Sequence, residues 1–256
     1  MDKRRRLLER LEAIGASLAQ SGDALAFVAV GSSSATDRLD AYSDLDFFVV
    51  VRDGLKPRYV ADLGWLEQVR PLAYSFQNTR DGFKALFDDG VFCEFAVFEA
   101  WELPGIPFAP GRIVWKAPEF DPALAQPNPI WTQRARQPVE WLLGEVLTNL
   151  YVGLGRLHRG ECLSATRFIQ SLAVSRVIEL AALVETPRHD DADPFDADRR
   201  FEQRFPGVAA HLPEFVPGYE RNIEAARAIL AWLDAHFAVP QAMKNAIEAL
   251  LQQDAP

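Results

Sequence analysis

The 256-residue sequence predicts an α+β fold, in which an N-terminal β-sheet with flanking helices precedes a C-terminal helical bundle. Short β-rich runs bounded by turn residues fill the first half of the chain. Prolines become frequent between residues 101 and 129, where no long period survives. After this segment, apolar residues recur at spacings of three and four, as they do in amphipathic helices.

The first elements are a helix and two strands. Apolar residues at helical spacing predict an amphipathic helix that ends at the Ser21-Gly22 pair. Residues 25–30 then form a short apolar run that leads into Gly31, and residues 46–51 form another. We expect both runs to be buried strands.

The rest of the N-terminal half predicts one more helix and four more strands. Pro57 opens a helix that continues to residue 69, and a third strand follows at 72–76. Two β-rich runs on either side of the Asp88-Asp89-Gly90 turn then predict a hairpin. In its second arm, residues 91–99, Glu94 shares one face with apolar side chains. A short last strand is expected at 112–116.

The pattern divides the chain into three parts. We predict a catalytic domain at residues 1–116, a linker at 117–129 and a helical bundle at 130–256. An acidic segment at 187–200 predicts a solvated loop within the bundle. The helices predicted for the bundle are 131–157, 164–185, 217–237 and 240–252.

Composition and charge narrow the classes of function. A net charge of -9 argues against general affinity for nucleic acid or for an anionic membrane. Glu9, Arg10 and Glu12 interrupt the apolar stretch that an export signal needs, so we expect a cytoplasmic protein. Cys93 and Cys162 are too few for a disulfide framework or a thiolate zinc site.

Two carboxylates open the second predicted strand. Asp44 and Asp46 are two residues apart, so with strand periodicity both side chains point to one face. Carboxylates aimed at one point repel each other unless a cation or water lies between them, and magnesium prefers such oxygen ligands. The alternative is a polar turn that ends where the strand begins.

A run of small residues ends the first predicted strand. Gly31, Ser32 and Ser33 offer backbone N–H groups that can cradle a phosphate chain, although glycine and serine also favour ordinary turns. Asp44 follows Gly31 by thirteen positions. Turn chemistry alone seldom produces this combination, which therefore favours a phosphate and metal site.

The Gly31-Ser32 pair with the later Asp44-Leu45-Asp46 motif resembles the signature of the polymerase-β-type nucleotidyltransferase superfamily. The two-domain layout is similar to that of small bacterial lincosamide and aminoglycoside nucleotidyltransferases. This resemblance implies a mixed β-sheet in a nucleotidyltransferase fold. It implies that Gly31, Ser32 and Ser33 bind the triphosphate of a nucleotide and that Asp44 and Asp46 bind Mg²⁺.

The superfamily has a third carboxylate on a neighbouring strand, and Glu94 fits that position. A carboxylate buried among apolar side chains needs a cation or a hydrogen-bond partner, which favours function over an edge-strand glutamate that faces water. Glu99 is the second choice, on the opposite face of the strand. The sequence leaves open whether Glu94 binds metal or acts as general base.

The expected reaction is Mg²⁺-dependent transfer of a nucleoside monophosphate, AMP in the first instance, from a nucleoside triphosphate such as ATP. The expected acceptor is a hydroxyl of a small molecule, with antibiotics among the candidates. One alternative is a non-catalytic module of this fold that senses nucleotide or binds a partner, and another is a nucleotidyltransferase that acts on a protein. We expect neither nucleic acid nor membrane as a partner, and a homodimer is an open alternative.

The predicted bundle adds cationic candidates. The arginines at positions 156, 159, 167 and 176 offer charges for the leaving pyrophosphate, although solvated helix faces also explain them. Glu145 is a candidate base on the acceptor side.

Overall fold

The computed structural model describes residues 3–34, 39–129, 137–189, 192–193 and 196–253. The chain divides into two compact units, residues 1–134 and 135–256. The first contains a six-stranded mixed sheet with helices, and the second is helical, so the predicted α+β fold class is confirmed. The finer assignment to a catalytic domain, a linker and a bundle domain stays a prediction.

The first unit begins with an amphipathic helix and alternates strands with short helices. Its elements are α1 (Lys3–Ser21), β1 (Ala24–Ala29), a 3-10 turn (Gly31–Ser34), β2 (Leu45–Val51), α2 (Lys56–Ala61), α3 (Gly64–Glu67), β3 (Leu72–Gln77), β4 (Gly82–Phe87), β5 (Phe92–Glu99), a 3-10 helix (Ala100–Gly105), β6 (Arg112–Lys116) and a 3-10 helix (Pro122–Ala125).

The strands lie in the order β3-β4-β5-β2-β1-β6. Within this sheet β2 and β5 are parallel, and the other four neighbouring pairs are antiparallel. Alternate side chains therefore enter two clusters. The larger, which includes Leu11, Phe47 and Phe95, packs beneath α1, and the smaller includes Val50 and Phe98 on the other face.

One predicted helix is wrong in its extent. Instead of a single helix from Pro57 to residue 69, α2 and α3 are separate, because Asp62 adopts an extended backbone conformation at the end of α2. Its Oδ1 atom accepts a hydrogen bond from the Gly64 N–H at 2.8 Å. This local side-chain bond competes with helical hydrogen bonding and restarts the helix two residues later.

The segment predicted as a linker packs into the first unit. Phe120 and Ala125 are buried in the smaller cluster of the sheet. Asp121 accepts a hydrogen bond from the Ala123 N–H and so caps the last 3-10 helix of this unit. Residues 117–129 thus contribute to the core that supports the sheet.

The second unit packs its helices around one apolar core. They are α4 (Val139–His158), α5 (Cys162–Thr166), a π-helical segment (Arg167–Ala173), α6 (Val174–Val184), α7 (Phe201–Arg204), α8 (Pro206–Ala209), α9 (Leu212–Phe215), α10 (Asn222–His236) and α11 (Gln241–Leu251). The start of the predicted 131–157 helix and parts of the predicted 187–200 loop lie outside the described residues. Among the described helices, none combines the length and apolarity needed to cross a membrane.

Candidate active site

Asp46 and Glu94 lie side by side on one face of the sheet. They are register partners in the parallel pair β2–β5, next to the N-terminal ends of both strands. The residues that alternate with them, Phe47 and Phe95, stack on the other face with ring centroids 5.1 Å apart. Because neighbouring strands are about 4.8 Å apart, this register brings two carboxylates within reach of one ligand.

Ser33 fixes the turn to the strand that carries the aspartates. Its buried hydroxyl accepts a hydrogen bond from the Asp46 N–H at 2.9 Å and donates one to the Asp44 carbonyl at 3.3 Å. The Val30 N–H also donates to the Asp46 carbonyl, at 2.9 Å. The Ser33 hydroxyl therefore positions the turn against β2. The predicted role of Ser33 in nucleotide binding stays a prediction.

Gly31 is required by its conformation and by its neighbour. Its φ of +58° lies in the left-handed region, which costs other residues free energy. A Cβ atom at this position would lie 2.8 Å from Oδ2 of Asp46. The turn and the Asp46 carboxylate are thus in direct contact, which connects the two halves of the sequence motif.

The other two motif residues lie beside this contact. Asp44 is half-buried immediately before β2, and its carbonyl accepts the hydrogen bond from Ser33. Ser32 belongs to the 3-10 turn. The predicted roles of Asp44 in metal binding and of Ser32 in triphosphate binding stay predictions.

Lys84 is a member of this site that the motif did not indicate. It is the register partner of Glu94 across β4 and β5, and its Nζ atom lies 2.7 Å from Oε1 of Glu94. The hydrogen bond that Lys84 donates to Glu94 and the negative charges of Glu94, Asp44 and Asp46 raise the pKa of Lys84 above its ordinary value. Lys84 is therefore an ammonium ion within the field of all three carboxylates.

The same register extends across the sheet. Phe76 pairs with Lys84, Lys84 with Glu94 and Glu94 with Asp46, so the four side chains form a transverse row on one face. The row ends at the edge strand β3, where about half of the Phe76 side chain is exposed. The sequence could have indicated Lys84. If the two arms of the hairpin are paired outward from the Asp88–Gly90 turn, Lys84 falls opposite Glu94.

The expected environment of Glu94 is wrong in one respect. We expected a carboxylate buried among phenylalanine and valine side chains, but Phe95 and Val97 lie on the opposite face. The Glu94 side chain is 39% exposed and has Lys84 as its partner. Glu94 therefore lies on the face of the smaller cluster, but at the exposed N-terminal end of the strand, where a ligand has access to it.

A cleft of about 220 Å³ opens above Asp46 and Glu94. Its far wall is the β3–β4 turn, where Asn78, Thr79 and Gly82 line it. A Cβ atom at Gly82 would lie 2.7 Å from Oγ1 of Thr79, so the absence of a side chain lets the turn approach the strand.

Asp81 anchors that turn to the rest of the unit. Its carbonyl accepts a hydrogen bond from the Val97 N–H at 2.9 Å, and its Oδ1 atom lies 2.7 Å from Nζ of the buried Lys56. Lys56 also bonds both carboxylate oxygens of Glu102, at 2.6 and 2.8 Å. The wall of the cleft is thereby held by backbone and by a shielded ion pair.

Glu99, the second choice for the third carboxylate, serves another purpose. It lies at the far end of β5 and accepts hydrogen bonds from the Gly54 N–H and from Nε1 of Trp101, both of which lower its pKa. The Trp101 bond makes the larger contribution. Glu99 also caps the 3-10 helix that follows, so it stabilises that end of the strand.

Three of the four cationic candidates of the second unit have local partners. Arg156 lies 2.7 Å from Glu161, and Arg159 lies 3.9 Å from the same glutamate. Arg176 pairs with Glu179 and lies over the Trp141 ring. Arg167 is exposed. Ordinary solvated charge on a helix face therefore explains these four arginines as well as a role in pyrophosphate binding does.

The donor set suits a hard divalent cation. Asp44, Asp46 and Glu94 offer carboxylate oxygens, and Mg²⁺ is usually held by one or two carboxylates together with substrate phosphates. Within the described part of the chain, no three histidine, cysteine, aspartate or glutamate side chains are arranged to hold one metal ion.

Comparisons with known proteins give structural matches only. No protein-family model and no curated protein sequence matches the chain. Solved structures similar to it include an aminoglycoside 6-adenyltransferase from Bacillus subtilis, with 13% identity, coverage of 95% of this chain and 91% of that one, and a TM-score of 0.34.

Two other solved structures are similar at the same level. A nucleotidyltransferase-like protein from Exiguobacterium sibiricum 255-15 has 13% identity, coverage of 91% and 70%, and a TM-score of 0.30. A STING-associated CdnE c-di-GMP synthase from Capnocytophaga granulosa has 11% identity, coverage of 97% and 78%, and a TM-score of 0.32.

Proposed function

We propose that this protein is a nucleotidyltransferase. It transfers a nucleoside monophosphate, AMP in the first instance, from a nucleoside triphosphate to a hydroxyl of a small-molecule acceptor. An antibiotic is one candidate acceptor. The observation that carries the proposal is the register of Asp46 against Glu94 on one open sheet face, with the Gly31 turn in contact with Asp46.

Each side chain has a role that its position supports. The Gly31–Ser34 turn binds the phosphate chain, as small-residue turns do in other phosphate sites. The Ser33 N–H donates to the Val30 carbonyl at 3.1 Å and holds the turn in shape. Asp44 and Asp46 would hold Mg²⁺, which would supply positive charge to the attacking and leaving oxygens. Glu94 either completes that set of ligands or accepts the proton of the acceptor hydroxyl.

Pyrophosphate release in the presence of Mg²⁺ tests the reaction class. Labelled ATP, GTP, CTP and UTP are supplied in turn with a panel of hydroxylated acceptors that includes lincosamides and aminoglycosides. We expect acceptor-dependent release that falls about a thousandfold in Asp46→Asn, because a catalytic metal contributes several kcal/mol to the transition state.

A matched variant controls for charge. Asp53→Asn removes an exposed carboxylate just after the other end of β2, so release should stay within about twofold of wild type. No release with any acceptor, together with no binding of a non-hydrolysable triphosphate, would contradict the proposal.

The Lys84–Glu94 ion pair supports a second candidate function, a non-catalytic protein of the same fold. A non-catalytic module that binds nucleotide can retain the turn and pair its third carboxylate with lysine. In that case Asp44→Asn should leave nucleotide binding and biological activity intact.

A protein acceptor is a further alternative. An enzyme of this kind would add nucleotide mass to proteins of the expression host, and mass spectrometry would detect the added mass with wild type but not with Asp46→Asn.

A further inference from the structure

A lysine lies among the carboxylates that the proposed function assigns to metal and acceptor. Its Nζ atom is 2.7 Å from Oε1 of Glu94, and Glu94 is in turn the register partner of Asp46. The ammonium ion therefore lies beside a carboxylate that a divalent cation would otherwise share with Asp46. The Lys84 ammonium ion and a divalent cation would therefore compete for the carboxylate oxygens of Glu94.

The pair is placed so that it can open. The side chains of Lys84 and Glu94 are 38% and 39% exposed, so water can replace either partner. Ion pairs with this exposure contribute little to stability, and a cation of higher charge competes well for the carboxylate. Lys56, by contrast, is shielded from water and held by two carboxylates, so it cannot exchange in the same way.

We propose that Lys84 is an internal counterion that competes with divalent cations for Glu94. In the nucleotide-free protein Lys84 holds the Glu94 carboxylate, and the carboxylates of Asp44, Asp46 and Glu94 are not arranged around one metal ion. Glu94 joins the two aspartates as a ligand only when the ammonium ion moves away and its side chain turns toward them. This inference rests on the proposed function in one respect, the binding of metal by the aspartates. Lys84 is then a positioning residue that acts through Glu94.

The competition has a consequence for the order of binding. A triphosphate offers Lys84 another anion on the same face of the sheet, which releases Glu94 to the metal. Nucleotide therefore strengthens metal binding, and by linkage metal strengthens nucleotide binding by the same factor. Lys84 thus keeps the site weakly metallated until its substrate arrives.

Mn²⁺ binding to the nucleotide-free protein, followed by electron paramagnetic resonance, tests the inference without an activity assay. We expect Lys84→Met to bind Mn²⁺ about fivefold to tenfold more tightly than wild type, because the competing charge is gone. Lys84→Arg keeps that charge and should stay within about twofold of wild type. Lys84→Gln repeats the test with a polar side chain and keeps it valid if Lys84→Met folds poorly.

Arg80→Met is the matched control for a lost positive charge. Arg80 lies four residues before Lys84, and its side chain is 93% exposed. Solvent and salt screen its charge, so its removal should change Mn²⁺ affinity by less than about twofold. An equal gain in Arg80→Met and Lys84→Met would show a general charge effect and overturn the inference.

A double-mutant cycle shows whether Lys84 acts through Glu94. In a Glu94→Gln background the gain from removing Lys84 should shrink to less than about twofold, since the contested carboxylate is absent. The same gain in both backgrounds, or an unchanged or weaker Mn²⁺ affinity in both Lys84→Met and Lys84→Gln, overturns the inference.

Asp46→Asn separates this inference from the proposed function. If Asp46→Asn abolishes Mn²⁺ binding while the Lys84 variants match wild type, the competition is wrong and the metal site stands. If Mn²⁺ binding is absent or does not depend on Asp46, the proposed metal site and the competition both fail.

Discussion

The two sides of the carboxylate row are built in different ways. On the β1 side, backbone hydrogen bonds and the buried Ser33 hydroxyl hold the Gly31–Ser34 turn against Asp46. On the β4 side, the half-exposed Lys84 holds Glu94, and the edge strand β3 beyond it is largely open to solvent. The first side suits a group that must be held in one geometry, whereas the second can exchange partners.

Among the changes that test this difference between the two sides, replacement of Gly31 should have the largest effect on activity. In Gly31→Ala the left-handed conformation costs about 1–2 kcal/mol, and the new methyl group also displaces the Asp46 carboxylate. A shift of about 1 Å in a catalytic group can cost about a hundredfold in rate, so we expect nucleotidyl transfer to fall by at least that factor. Chemical denaturation and pyrophosphate release measure the two effects.

Gly90→Ala provides the matched control. Gly90 has a φ of +81°, but open space surrounds the position that its Cβ atom would take. It should lose a similar free energy of unfolding and keep its activity. If Gly31→Ala and Gly90→Ala lose activity equally, contact between the turn and Asp46 is not what matters.

Removal of the Ser33 hydroxyl should have the next largest effect. Ser33→Ala leaves the Asp46 N–H without its partner in a buried position, so we expect the free energy of unfolding to fall by about 1–3 kcal/mol. Activity should fall with it, because the hydroxyl ties the turn to the strand. Urea unfolding curves and turnover at saturating nucleotide check both.

Ser34→Ala is the comparison for that variant. Among the described residues, the Ser34 hydroxyl donates to the Gly31 carbonyl within the same turn, and Ser34 is half-buried. Its loss should cost less than about 1 kcal/mol, near the net value of an ordinary hydrogen bond. A larger cost for Ser34→Ala than for Ser33→Ala would show that the turn is not anchored through Asp46.

Changes on the β4 side should leave stability almost unaltered. Lys84→Gln breaks an ion pair whose members are both more than one-third exposed, and such pairs contribute about 0–1 kcal/mol. The expected melting curve is therefore close to that of wild type, even where metal affinity changes. A stability loss as large as that of Ser33→Ala would mean that the two sides are equally rigid.

The same difference determines what the sequence could predict. The Gly31 turn and the two aspartates form a local motif, and the structure shows why its members belong together, since Gly31 contacts Asp46. The neighbourhood of Glu94 depends on the parallel register of β2 and β5, which are separated by about forty residues of chain. No local turn sets that register, so a sequence pattern could propose Glu94 but not its environment.

The helix break at Asp62 and the packing of Phe120 show a second reason for incomplete prediction. Asp62 competes through a side-chain hydrogen bond that apolar periodicity does not register. Phe120 lies in a proline-rich segment that has no period of its own and is buried because the sheet needs cover on its second face. A local hydrogen bond decided the first outcome and tertiary packing the second.

Thiol labelling should perturb the protein least, and it tests on which face of the sheet Glu94 lies. Strand alternation places Cys93 on the buried face if Glu94 is on the open one, and burial raises the pKa of Cys93 to about 12. Because the thiolate is the reactive form, a maleimide at pH 8 should modify the half-buried Cys162 and spare Cys93. We expect about one label per native chain and about two in urea, and none on native Cys162→Ser. Labelling of Cys93 in the native protein would show that the two faces of β5 are assigned the wrong way round. Glu94 would then not belong to the row that contains Lys84 and Asp46.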